Sequence, residues 1–186
     1  MNKLVVTCFI VLAIIQIAAP VKMIQEQHNL LDNGDEIIFE IHAVWIDQLA
    51  EVEELRVDIK QNRVHLTPEG NFRDGQAVYV NFDRDEDGLF IPVALSEKKP
   101  ADSLFVLAKI SYIDKDSITA TVRYPEMIYY VDKSSIQPQL QPTDARKAYP
   151  EPQFLAHGKI LNGKTVITRI TVNGVDIEDY YNESGR

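Results

Sequence analysis

The chain opens on its longest apolar run. Across residues 4–21 only Thr7, Gln16 and Pro20 fall outside the strongly apolar set, and no charge interrupts it. A membrane-spanning helix needs about 20 such residues, and the core of a secretory signal needs about 7–15. The run lies between the two. The best cleavage position follows Ile17-Ala18-Ala19, but Pro20 would then come directly after the cut. Residues 1–23 therefore read as an N-terminal membrane anchor or signal segment, with a retained anchor the better fit. A lipid on Cys8 fits poorly, because few apolar residues precede it and Thr7 stands before it. Residues 23–33 turn polar, with Ile24, Leu30 and Leu31 at intervals, and predict a helix leaving the membrane and ending at Asn33-Gly34.

From residue 36 the period changes from helical to alternating. Phe39, Ile41 and Ala43 alternate within a strand over 36–44. Residues 46–54 are ambiguous between a short helix and a turn, and 55–59 alternate again. Residues 77–82 and 89–95 form a hairpin about the polar turn 83–88, and Pro92 puts the second strand at a sheet edge or a bulge. The strongest strand is 103–113, with Leu104, Val106, Ala108 and Ile110 on one face and Phe105, Leu107 and Lys109 on the other. It returns through 117–124, where Ile118, Ala120 and Val122 are expected to point inward. Residues 127–131 extend the sheet. Residues 132–152 hold Pro138, Pro142, Pro150 and Pro152 and read as a connecting loop. Asn162-Gly163 and Asn173-Gly174 are hairpin turns between the closing strands.

The pattern predicts a mostly β fold: a sandwich or partial barrel of short antiparallel strands, preceded by an N-terminal transmembrane helix. The expected organisation is an anchor or signal over 1–23, an extracytoplasmic β-rich domain over 24–177, and a flexible tail over 178–186.

Charge narrows the partners. The chain has 186 residues, 28 acidic and 19 basic. Lys3 and Lys22 are the only charges in the first 23 residues, so the rest holds 17 basic residues against 28 acidic, a net −11. Nucleic-acid binding is dominated by basic residues that neutralise phosphates, so this body disfavours it. An acidic body behind a short basic start is consistent with export, placing the protein in the cytoplasmic membrane as a single-pass chain with its body outside the cytoplasm. With Cys8 the one cysteine, no intrachain disulfide and no cysteine metal site can form.

Candidate chemistry is sparse. Asp83-Arg84-Asp85-Glu86-Asp87-Gly88 matches the first half of a calcium loop, in which Asp83, Asp85 and Asp87 converge on one hard cation and Gly88 permits the turn. The twelfth position, where such a loop places a bidentate Glu, is Ala94. An exposed turn also collects Asp and Gly for conformational reasons alone. His28, His42, His65 and His157 stand at no metal-ligand spacing. No serine lies in a G-x-S-x-G elbow, and none directly follows the anchor, where a Ser–Lys dyad of signal-peptidase type would place it. Tyr124, Tyr129, Tyr130, Tyr149 and Phe154 gather about the proline-rich loop, either as strand packing or as the lining of a groove. No catalytic residue and no cofactor site is assigned from the sequence beyond the weak calcium option.

Several stretches resemble the GDYXXLXY family of small membrane-anchored bacterial proteins. They are the apolar span followed by Ile24-Gln25-Glu26 and Leu31-Asp32-Asn33-Gly34, then Val78-Tyr79-Val80 and the 83–88 turn running into Leu89-Phe90-Ile91-Pro92-Val93. Met127-Ile128-Tyr129-Tyr130-Val131 and the closing Gly163-Lys164-Thr165-Val166-Ile167 to Val172-Asn173-Gly174 complete the likeness. At the position of the namesake motif, residues 50–57 keep only Leu55, with Glu51 as an acid for an acid, and lack the Gly and both Tyr. No functional residue is therefore carried over. The resemblance implies an integral membrane protein as partner, because family members look paired with multi-spanning proteins. The function expected is a membrane-anchored extracytoplasmic interaction or accessory module. The alternatives are a ligand- or calcium-binding β domain using the 83–88 turn, and a hydrolase with a cryptic site.

Overall fold

The apolar stretch and the polar residues that follow it form a single helix, α1 (Lys3–Asn33), with no acid in its first turn. The computed structural model describes residues 3–49, 52–66, 71–101, 104–114, 116–132 and 152–184. Within α1, Thr7–Asn33 is long and apolar enough to cross a membrane: its most apolar window has a mean hydropathy of 2.1, and none of that window is buried in the protein. At about 1.5 Å per residue the helix is about 46 Å long, against about 30 Å of bilayer hydrocarbon. The excess is the polar stretch 22–33, where Lys22 and Glu26 pair one turn apart at 3.8 Å. Pro20 lies inside the helix and donates no backbone hydrogen bond. At the far end Gly34 N–H closes on the Leu30 carbonyl at 3.0 Å. The expected helical exit from the apolar segment is thus present and ends at the expected pair.

The chain divides into two units, Met1–Gly34 and Asp35–Arg186. The second is built from strands β1 (Asp35–Leu49), β2 (Val52–Ile59), β3 (Arg63–His65), β4 (Ala77–Arg84), β5 (Phe90–Ser96), β6 (Phe105–Asp114), β7 (Thr119–Arg123), β8 (Met127–Asp132), β9 (Phe154–Leu161), β10 (Lys164–Val172) and β11 (Val175–Asp176), followed by helix α2 (Ile177–Ser184). They form two antiparallel sheets, in the orders β11-β10-β9-β1-β2-β8 and β3-β7-β6-β4-β5. Both sheets curl, one into a half-barrel and the other into a nearly closed barrel. The mostly β class read from the alternation is the class observed.

Strand β1 is shared along its length. Residues 35–40 pair with β9, and residues 41–49 pair with β2. One core serves both sheets. Ile37, Phe39 and Ile41 face inward from β1, opposite Val78, Val80 and Phe82 of β4. The Phe39 ring meets Phe82 edge-on at 5.1 Å and Phe90 at 6.2 Å, which joins β1 to the β4–β5 hairpin across the sandwich. Pro92 does stand in an edge strand, opposite Phe82 where the ladder slips by a residue.

Three expectations are revised. Ile118 does not point inward: it is 56% exposed with φ +52°, in the turn before β7, while Ala120 and Val122 are buried. Phe105, expected on the face opposite Val106, is buried as Val106 is, because the Asn162-Gly163 turn covers it. Residues 46–49 and 52–54 are strand, not helix: β1 runs on to Leu49 and β2 starts at Val52. At the boundary with the expected tail over 178–186, residues 177–184 form α2, whose Ile177 is completely buried and whose Glu178 and Asp179 suit a helix N-terminus.

Candidate functional site

The Asp83–Gly88 turn forms through its own hydrogen bonds. Asp85 accepts the backbone N–H of Asp87 at 3.0 Å and of Leu89 at 2.8 Å on one carboxylate oxygen. Its own N–H reaches the Leu89 carbonyl at 2.9 Å, and Gly88 N–H reaches the Asp85 carbonyl at 3.1 Å. Gly88 takes φ +81°, which few residues other than glycine adopt. Asp83, near the end of β4, accepts the N–H of Arg84 at 2.8 Å. Two of the three carboxylates named as calcium ligands thus cap local backbone. Among the described residues, no three His, Cys, Asp or Glu side chains are grouped to hold a metal ion.

Of the histidines, His28 lies in α1, His42 in β1 and His65 in β3. His157, in β9, is the one in a structured polar setting. Its Nε2 is 3.1 Å from the Thr171 hydroxyl. Partial burial, then the Arg169 guanidinium, hold its pKa below the ordinary value, with Asp176 opposing them.

The aromatic group divides. Tyr124 donates its hydroxyl to the Gln61 carbonyl at 3.1 Å, and burial pushes its phenol far above the usual range. Tyr129 donates to Glu178 of α2 at 3.4 Å; burial first, then the Glu178 charge, push it up. Phe154 packs on the core. These three are packing residues. Tyr130 is 60% exposed and Ile128 is 40% exposed, both on β8, which is the last strand of its sheet. Tyr149 and residues 133–151 lie outside the described residues.

The sequence reading missed a polar cleft. It has a volume of about 490 Å³ and lies where the β4–β5 hairpin meets β1, β9 and β10. Glu36 and Ile38 come from β1, His157 and Lys159 from β9, Thr168 and Arg169 from β10, and Arg84 with Phe90 from the hairpin. Register puts Ile38, His157 and Arg169 in one row and Glu36 opposite Lys159 in the next. The row depends on a bulge between Ile167 and Arg169. There Thr168 donates to the His157 carbonyl at 3.3 Å. Gly158 is required beneath it, because a β-carbon would collide with the Val166 carbonyl. Arg84 donates to the Glu36 carbonyl at 3.3 Å and lies over the Phe90 ring at 4.9 Å. These residues are far apart in sequence and carry no motif; only strand register and the bulge bring them together.

No family model, curated protein or solved structure matches this chain.

Proposed function

We propose that this protein is a membrane-anchored interaction module. In this reading α1 is a retained single span, the β domain stands outside the cytoplasmic membrane, and the domain acts as an accessory subunit of another integral membrane protein. The observation that carries it is the apolar window of α1, none of which is buried in the protein, on a helix that ends one residue before the first strand of the β domain. An unburied apolar helix of this length is costly in water and stable in a bilayer.

The outer edge of the larger sheet supports the partner. Strand β8 carries Ile128 and Tyr130 side by side on its exposed face, and among the described residues it is the last strand in the order of its sheet. A terminal strand with apolar side chains suits strand addition by another chain. The resemblance to the GDYXXLXY family points the same way.

The test is affinity capture of the full-length protein from its native membrane in mild detergent, with mass-spectrometric identification. An integral membrane protein recovered reproducibly in near-equal amount supports the reading. Recovery of the chain alone, or its release from the membrane by alkaline wash, overturns it.

A further inference from the structure

We propose that the cleft between the β4–β5 hairpin and strands β1, β9 and β10 binds a small oxyanion-bearing ligand, its head group held by Arg84, Lys159 and Arg169. This site is independent of membrane anchoring.

Charge is the first argument. The chain as a whole is at −9, yet the residues lining this cleft include three cations and one carboxylate, Glu36. A local excess of positive charge in an acidic protein concentrates anions at that place and not over the surface at large.

The second argument is the state of the cations. Arg84 is held in place by Phe90 and the Glu36 carbonyl, which together engage only part of a guanidinium with five N–H donors. Among the described residues, neither Arg84 nor Lys159 makes an ion pair. Glu36 stands opposite Lys159 in register without pairing to it. Arg169 shares Asp176 at 3.5 Å, and both side chains remain substantially exposed, so an anion can compete for it. Lys159 and Arg169 lie on adjacent strands in neighbouring rows of one sheet face. Arg84 approaches from the hairpin, so the three cations are supplied by three separate elements.

The third argument is size. About 490 Å³ falls within the range of organic ligand sites and exceeds what a bare ion needs. Ile38 and Phe90 give part of the wall an apolar surface. A carboxylate or phosphate attached to a small organic body fits both the charge and the wall, since paired N–H donors suit either head group.

The test uses full-length protein in mild detergent. Its thermal unfolding is followed against inorganic phosphate and against citrate, with sodium chloride at matched ionic strength as reference. A ligand that binds only the folded state raises Tm in a saturable way. The expected result is saturation at millimolar phosphate, citrate or both. Saturation by phosphate alone identifies a phosphate head group, by citrate alone a carboxylate, and by both an oxyanion site that does not discriminate. Lys159→Gln and Arg84→Gln are each expected to raise the half-saturating concentration about tenfold, as for loss of one hydrogen bond to a charged group. Among the described residues the Lys159 side chain makes no hydrogen bond or ion pair, so Lys159→Gln remains informative if Arg84→Gln unfolds. Arg123→Gln, at an exposed position of β7 outside the cleft, is expected to leave binding unchanged. The proposal is overturned if neither anion saturates, if chloride has the same effect, or if Arg123→Gln weakens binding as much as Lys159→Gln.

Discussion

Gly163 lies directly against Phe105: a β-carbon at Gly163 would stand 2.6 Å from Cε2 of the Phe105 ring. The closing hairpin of one sheet thus covers the first residue of β6 in the other, and Phe105 is buried on the face opposite Val106, as Val106 is on its own. Tyr79 adds an edge-on contact to the same ring at 5.4 Å.

That contact predicts unequal costs for two similar glycines. Gly163 and Gly174 have nearly the same backbone, φ +82° and +85°, but nothing lies within 4 Å of a β-carbon at Gly174. Gly174→Ala should cost only the left-handed strain, about 1–2 kcal/mol. Gly163→Ala should add the displacement of Phe105, about 1–3 kcal/mol more. Chemical denaturation of the two variants measures the difference. Equal losses would mean that the turn does not press on Phe105.

Ile118 offers the reverse case. A β-branched residue at φ +52° is strained, and this one is more exposed than buried, so little packing offsets the strain. Its carbonyl accepts the Leu66 N–H at 2.9 Å, a bond that any residue in this conformation retains. Ile118→Asn should therefore stabilise the protein by about 1 kcal/mol. A fall in the denaturation midpoint would show that the side chain contributes packing that its exposure conceals.

These positions also show what the sequence made legible. Turns carried by local chemistry were readable, because Asn162-Gly163 and Asn173-Gly174 both take the left-handed conformations that such pairs favour. Pro92 was readable as an edge residue because it lacks a ladder donor. Ile118 was misread because alternation was extended one residue too far, into the turn. The slips between Ile110 and Tyr112 and between Ile167 and Arg169 leave no mark in the alternation, yet each resets which residues stand side by side. The cleft depends on the second slip and on the pairing of β1 with β9, strands more than a hundred residues apart in the chain. The aspartate turn had the opposite fate: its spacing was visible at once, but spacing did not reveal that Asp85 is occupied by backbone.

Asp85 should accordingly behave as a turn residue. Asp85→Ala removes the acceptor for two backbone N–H groups and should cost about 1–2 kcal/mol. Asp87→Ala, whose carboxylate caps no backbone group among the described residues, should cost less than about 0.5 kcal/mol. Millimolar calcium should leave Tm unchanged for both variants and for the parent. A saturable rise with calcium, lost in Asp87→Ala, would support the metal reading of Asp83, Asp85 and Asp87.

His157 gives the β domain a pH dependence of definite sign. In the unfolded chain it takes up a proton near the ordinary value of 6.5; in the fold, burial and then Arg169 delay protonation to lower pH. Between the two values the unfolded chain binds more protons, so this contribution to stability is fully present above about pH 6.5 and is lost as pH drops from there through the folded value. His157→Gln should abolish that part of the slope. Arg169→Gln should move the folded value back toward 6.5 and flatten the slope, because it removes the repelling charge. The imidazole resonances of full-length protein, followed by NMR from pH 8 to pH 4, measure the folded value directly. Denaturation midpoints over the same range measure the slope. A His157 that titrates above 6.5, with stability rising on acidification, would mean that Asp176 outweighs burial and Arg169, and that the cleft carries a further positive charge near neutral pH.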